Sequence, residues 1–183
     1  MLFLDVRGFT SLAERIPPAE VALRLNRFYA LAARVIFEQD GTLDKLVGDQ
    51  VMAFFGAPLY GKDHPERAVT VAVTILEKIS ALAPGEGLYV GAGIATGDAF
   101  VGNVGEGSVA DYTVIGDTVN VAARLQGAAT AGEILMTEET YAHVAASFPD
   151  LPSREFDLKG KSEPVRARAM LVETRAGRPL ALS

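Results

Sequence analysis

Residues 45–56 read KLVGDQVMAFFG. Two apolar runs, 46–47 and 51–55, flank Gly48-Asp49, the pattern of two strands joined by a two-residue turn. Such turns favour Asn-Gly or Asp-Gly, so Gly-Asp fits less well than its reverse. It also sets a carboxylate at the tip, with Lys45 four residues upstream. A second carboxylate, Asp5 in LFLDVRGFT, ends an apolar run and enters a loop containing Gly8. If the strands carrying Asp5 and Asp49 are neighbours, about 4.8 Å apart, the two acids share one end of a sheet.

Working outward, residues 2–6 predict a short buried strand. Residues 19–39 predict a helix, with Val21, Leu25, Phe28, Tyr29, Ala32, Val35 and Ile36 forming one stripe. Strands at 42–47 and 50–55 make the hairpin. A second helix follows over 66–82, with Ala68, Ala72, Ile75, Leu76 and Ile79 on one face and Pro65 suited to its first turn. Strands at 88–95 and 99–104 are joined at Gly97-Asp98, and a short strand covers 112–115. Asp117 is positioned to cap a helix over 118–128. A strand at 134–136, a helix near 138–146 and a hairpin within REFDLKGKSEPVRARAMLV complete the chain. This order predicts an α+β domain with helices on one face of the sheet. The domain spans residues 1–174, with a tail at 175–183.

Composition narrows the chemistry. The 183 residues are 49% hydrophobic and 22% charged, ordinary for a globular domain. A net charge of −6 argues against general affinity for nucleic acid or anionic membrane. There is no cysteine and there are two histidines, His64 and His143, far apart. A metal, if present, is therefore held by oxygen ligands, which favours Mg²⁺, Mn²⁺ or Ca²⁺. No apolar run approaches the roughly 20 residues of a membrane span, and no signal peptide is visible. The expected location is the cytoplasm, and the segment is expected to come from a longer chain.

Two carboxylates converging at a strand end, with no basic residue assigned to them, repel each other and invite a cation. Mg²⁺ is held by a pair of carboxylates when a phosphate completes its shell. Taken singly, the same acids read equally well as solvated strand-end and turn residues. The loop VRGFTSL offers backbone amides to phosphate oxygens, although it is not a Walker motif. GAGIATG and GNVGEG lack the strand–GxGxxG–helix context and read as strand and turn glycines. In DYTVIGDTVNVAARL, Asn120 and Arg124 share a helix face. Together they could stabilise charge on a phosphate, or simply form a solvated polar face.

FLDVRGFTSL, KLVGD with MAFFG, YTVIGDTVNVAARL and LKGKSEPV occur in an order and spacing that resemble the class III nucleotidyl cyclase catalytic domain, over residues 2–172. The resemblance implies a ferredoxin-like βαββαβ core with a C-terminal αβ and hairpin extension. It implies that Asp5 and Asp49, with the Val6 carbonyl, hold two divalent cations, Mg²⁺ or Mn²⁺. Phe9 and Thr10 would lend amides to the triphosphate. Lys45 matches the purine-reading lysine and Thr113 its partner at the exocyclic amine, where many members have Asp and a bicarbonate-responsive subgroup has Thr. Asn120 and Arg124 match the transition-state pair, and Lys159 a lysine reaching the β- and γ-phosphates. One departure is the absence of the basic residue that commonly precedes YTVIG; Ser108 lies near its place.

The activity implied is an adenylyl cyclase forming cyclic AMP and pyrophosphate from ATP. It would act as a homodimer with composite sites, fused in the full-length chain to a regulatory domain. The alternatives are a guanylyl cyclase, for which Lys45 offers guanine N1 the wrong partner, and a silent cyclase-like domain, which would commonly have lost one of these residues. A GGDEF-type diguanylate cyclase would share the sheet, but its signature hairpin is absent.

Overall fold

β1 (Leu2–Val6) runs through the middle of the molecule, and its side chains alternate between two cores. In the computed structural model, which describes residues 1–58, 60–82, 88–106, 110–157 and 163–172, β1 is followed by α1 (Phe9–Arg15), α2 (Pro18–Glu38), β2 (Thr42–Val47), β3 (Gln50–Phe54) and α3 (His64–Ser80). Next come β4 (Val90–Ile94), β5 (Phe100–Val104), β6 (Asp111–Ile115) and α4 (Asp117–Ala128). The order ends with β7 (Glu133–Thr137), α5 (Glu138–Val144), β8 (Ser153–Phe156) and β9 (Val165–Leu171).

Seven strands form one sheet in the order β2-β3-β1-β4-β7-β9-β8. Its first four are antiparallel neighbours, with β1 flanked by β3 and β4. That is the split βαβ arrangement, so the expected ferredoxin-like core and α+β class hold. β7 extends it in parallel beside β4, and β8–β9 add the terminal hairpin. Among the described residues no helix is long and apolar enough to cross a membrane.

Three details differ from the sequence reading. Helices cover both faces: Leu2, Leu4 and Val6 pack with buried residues of α2 and α3, while Phe3 packs with Val121, Ala122 and Leu125 of α4. Period-two alternation along β1 serves both layers, and a strand this apolar shows no polar face to betray the second one. The strands at 88–95 and 99–104 do not pair with each other; β5 leaves the main sheet and pairs with β6 as a separate ribbon. Finally, Asp117 does not cap α4: Gly116 holds the cap position and Asp117 is the first helical residue.

α4 docks unusually close to the sheet. A Cβ placed on Gly93 of β4 would lie 2.2 Å from the Ala122 carbonyl oxygen and 2.2 Å from the Gln126 amide nitrogen. Only glycine permits that approach.

Candidate active site

The acids converge as the hairpin requires. Asp5 is registered against Gln50 across β1 and β3, which brings Asp49, one residue earlier, beside it. Gly48 has φ 60°, whereas Asp49 keeps an ordinary negative φ. A turn that is left-handed only at its first central position calls for glycine there, so Gly-Asp is in the right order after all. The Tyr29 hydroxyl of α2 donates to the Gly48 carbonyl and fixes the turn from behind. Tyr29 appears in the sequence only as one member of an apolar stripe.

Burial chiefly, and then the field of Asp49, raises the Asp5 pKa above the ordinary carboxylate value, with Arg7 pulling the other way. Arg7 is a correction to the expectation of acids without a basic partner: its Nη2 donates to Asp5 Oδ2 at 2.5 Å, and its Nη1 to the Ala129 carbonyl at 3.3 Å. One arginine against two carboxylates still leaves a surplus negative charge in a half-buried place. Nor is Asp5 at an open strand end, since its side chain is only 24% exposed.

This donor set fits a divalent cation. It is all oxygen, it is electrostatically frustrated without added positive charge, and it lies where β1 gives way to the Gly8 turn. Among the described residues no group of three or more His, Asp or Glu side chains could hold a metal. The remaining ligands must then be a carbonyl, phosphate or water, which is the usual habit of Mg²⁺. Val6, whose carbonyl is the expected third ligand, ends β1 with its side chain buried. Phe9 and Thr10 open α1 directly after Gly8, which has φ 71°.

Lys45 and Thr113 meet at a second place. The β2–β6 approach brings the Thr113 hydroxyl to Asp44 Oδ2 at 3.1 Å, with Lys45 Nζ at 3.7 Å from the same oxygen. Lys45 also donates to Asp111. These two carboxylates, the hydrogen bond to Asp111 foremost, hold the lysine pKa above its usual value. Asp111 shares the Thr113 face of β6 by period-two alternation, whereas nothing in the sequence marks Asp44 as a neighbour of position 113.

Asn120 and Arg124 lie one turn apart on α4, away from the buried Val121, Ala122 and Leu125. Neither side chain makes a hydrogen bond or ion pair with another described residue. Lys159 and Ser108 lie outside the described residues. Among the described residues, no hydrogen bond or ion pair joins Asp5 and Asp49 to Lys45, Thr113, Asn120 or Arg124.

Residues 1–170 match the family model described as the adenylate and guanylate cyclase catalytic domain. The chain belongs to that family. A curated adenylate cyclase from Anabaena cylindrica is 34% identical over 90% of this chain, which spans 35% of that protein's length. The crystal structure of the adenylyl cyclase CyaB from P. aeruginosa superposes with a TM-score of 0.81 at 32% identity, covering 97% of this chain and 94% of that one. The guanylyl cyclase Cya2 superposes equally well, with a TM-score of 0.81 at 32% identity, covering 98% and 95%. Overall likeness within the cyclase family therefore does not choose the base, and the side chains around Lys45 must.

Proposed function

We propose that this cyclase domain is an adenylyl cyclase, converting ATP into 3′,5′-cyclic AMP and pyrophosphate at sites shared between two copies of the chain. The observation that carries the reading is the meeting of Lys45 and Thr113 over Asp44. It puts an ammonium donor beside a hydroxyl, matching the N1 acceptor and 6-amino donor of adenine.

In the reaction the ribose 3′-oxygen bonds to the α-phosphorus. The bond from that phosphorus to the bridging oxygen breaks, pyrophosphate leaves with the electron pair, and the 3′ proton passes to solvent. Asp5, Asp49 and the Val6 carbonyl would hold two cations, Mg²⁺ or Mn²⁺, which when bound acidify the 3′-hydroxyl and neutralise the leaving group. Arg124 brings an unspent guanidinium to the α-phosphate, and Asn120 orients the ribose. Amides at Phe9 and Thr10, together with Lys159, hold the triphosphate.

The sharing of sites is supported by the division of the machinery into two sets that no hydrogen bond or ion pair joins among the described residues. An exposed apolar pair on the β5–β6 ribbon, Phe100 and Ile115, which lie opposite each other in the ladder, also asks for a covering surface. In a two-fold pair each chain gives its acids to one site and its donors to the other. Incubation with ATP or GTP and Mn²⁺, followed by chromatography of the products, tests the activity. Cyclic AMP as the main product is the expected result; cyclic GMP alone, or no product, overturns the reading.

A further inference from the structure

Lys45 and Thr113 both lean on Asp44, to which nothing so far gives a role. The pairing of β2 with β3 steps from Leu43↔Ala53 to Lys45↔Met52, so Asp44 is the extra residue of a bulge. In a regular strand, residues 44 and 45 would point to opposite faces. A bulge re-aims one of them, and here both approach Thr113.

The Asp44 side chain is 0% exposed. One oxygen accepts from Thr113 and faces Lys45, and the other is buried without a hydrogen-bond partner. An ionised carboxylate only accepts, and a threonine hydroxyl has a single hydrogen to give. Once that hydrogen is spent on Asp44, Thr113 has only lone pairs to offer a ligand. Free threonine is ambivalent, because its hydroxyl can turn to serve a donor or an acceptor. Held by Asp44, it fits the amino group at position 6 of adenine and opposes the oxygen at position 6 of guanine.

We infer that Asp44 is a positioning residue that determines base specificity, by fixing Thr113 as an acceptor for a purine 6-amino group. The inference rests on the reading of Lys45 and Thr113 as base contacts.

The test uses analogues that keep the N1 acceptor for Lys45 and change only position 6. These are ATP, purine riboside triphosphate and 6-methoxypurine riboside triphosphate, compared by kcat/KM with the 183-residue chain. The wild-type order should be ATP, then unsubstituted purine, then 6-methoxypurine, with ATP ahead of the last by roughly 100-fold, since sites built for a polar group reject its mismatch strongly. Asp44→Leu keeps roughly the shape but offers the hydroxyl no acceptor, so the hydroxyl can turn, and it should shrink that ratio about tenfold, as mismatched buried partners allow. Thr113→Val should also collapse the ratio, and adding Asp44→Leu to it should change the ratio no further.

If Thr113→Val leaves the ratio unchanged, the base reading itself is wrong. If Thr113→Val collapses it while Asp44→Leu does not, the base reading survives and the role of Asp44 is overturned. A merely structural Asp44 would lower all three substrates alike, and would do so in the Thr113→Val background too. Should Asp44→Leu fail to fold, the wild type still decides. A hydroxyl free to turn would use 6-methoxypurine at least as well as unsubstituted purine, which overturns the inference. A penalty that vanishes in Thr113→Val upholds it.

Discussion

Asp5 accepts a hydrogen bond from Arg7 at 2.5 Å while lying against Asp49. The arginine offsets one of two crowded acids, and the remaining repulsion is a cost the folded chain carries.

A divalent cation should therefore stabilise the domain, and neutralising Asp5 should stabilise it in the cation's absence. At ten times its Kd, a cation adds about 1.4 kcal/mol. For a domain of this size that is a rise of roughly 3–6 °C in Tm. Asp5→Asn should melt higher than wild type in chelator and respond little to Mn²⁺. The pH sign follows from the raised Asp5 pKa. The folded chain holds that proton more tightly than the unfolded chain, so wild type loses stability relative to Asp5→Asn as pH rises from the ordinary carboxyl value of 3.8 through the raised value, and the gap then stays constant. Thermal melts of both proteins across pH, with and without Mn²⁺, measure this. A wild type as stable as Asp5→Asn at neutral pH would contradict it.

Asp5→Ala and Asp49→Ala should each cut turnover by roughly 10²–10³-fold or more, the usual scale for removing a charge-organising group. Both should keep a cooperative melt, because neither belongs to either buried apolar cluster. Product assays on the purified variants check the first statement and calorimetry the second. Near-normal activity in either variant removes it from the metal site.

Lys45→Glu combined with Thr113→Cys should collapse ATP use, with discrimination losses of up to about 10⁴-fold available from mismatched polar partners. Gain of GTP use should stay small. Lys45 lies 3.7 Å from Asp44 and donates to Asp111, so a glutamate there joins two other acids. Adding Asp111→Asn should recover part of the missing GTP activity. Steady-state kinetics with both nucleotides decide the matter, and unchanged ATP turnover in the double variant would mean that Lys45 does not face the base.

Asp49→Ala and Arg124→Ala should each be inactive alone, since each lesion damages both sites of its own pair. Mixed chains form dimers in which one site carries both lesions and the other none. Random exchange makes half the dimers mixed, so about a quarter of wild-type activity should return. No recovery after verified exchange would place the whole site within one chain.

Much of this was legible because apolar runs and turn glycines mark strand ends, and the acids stand at those ends. β1 at Leu2–Val6 and the hairpin strands fall within one residue of where the pattern puts them. The contact of the β5–β6 ribbon with the hairpin was not legible. The bond from Thr113 to Asp44 spans 69 positions, and it depends on a bulge that one sequence does not announce. The seven-residue helix at Phe9–Arg15, whose residues are none of them buried, has no apolar periodicity to reveal it beyond a loop. Arg7 carries no such signal, because a charged residue beside a turn is ordinarily solvated.

The seating of α4 on Gly93 has a mechanical consequence. Backbone rests on backbone there, with no side chain between to act as a cushion, so the helix bearing Asn120 and Arg124 cannot slide on β4 without steric collision. β4 is hydrogen-bonded to β1, the strand of Asp5. Within one chain the donors and the acids thus ride on a single stiff chassis. In a two-fold pair, opening or closing the gap between Arg124 of one copy and Asp49 of the other is left to the swing of whole subunits. If the domain works as such a pair, any signal that reaches it would act as torque applied between the two copies, and the strands and α4 would transmit it without bending.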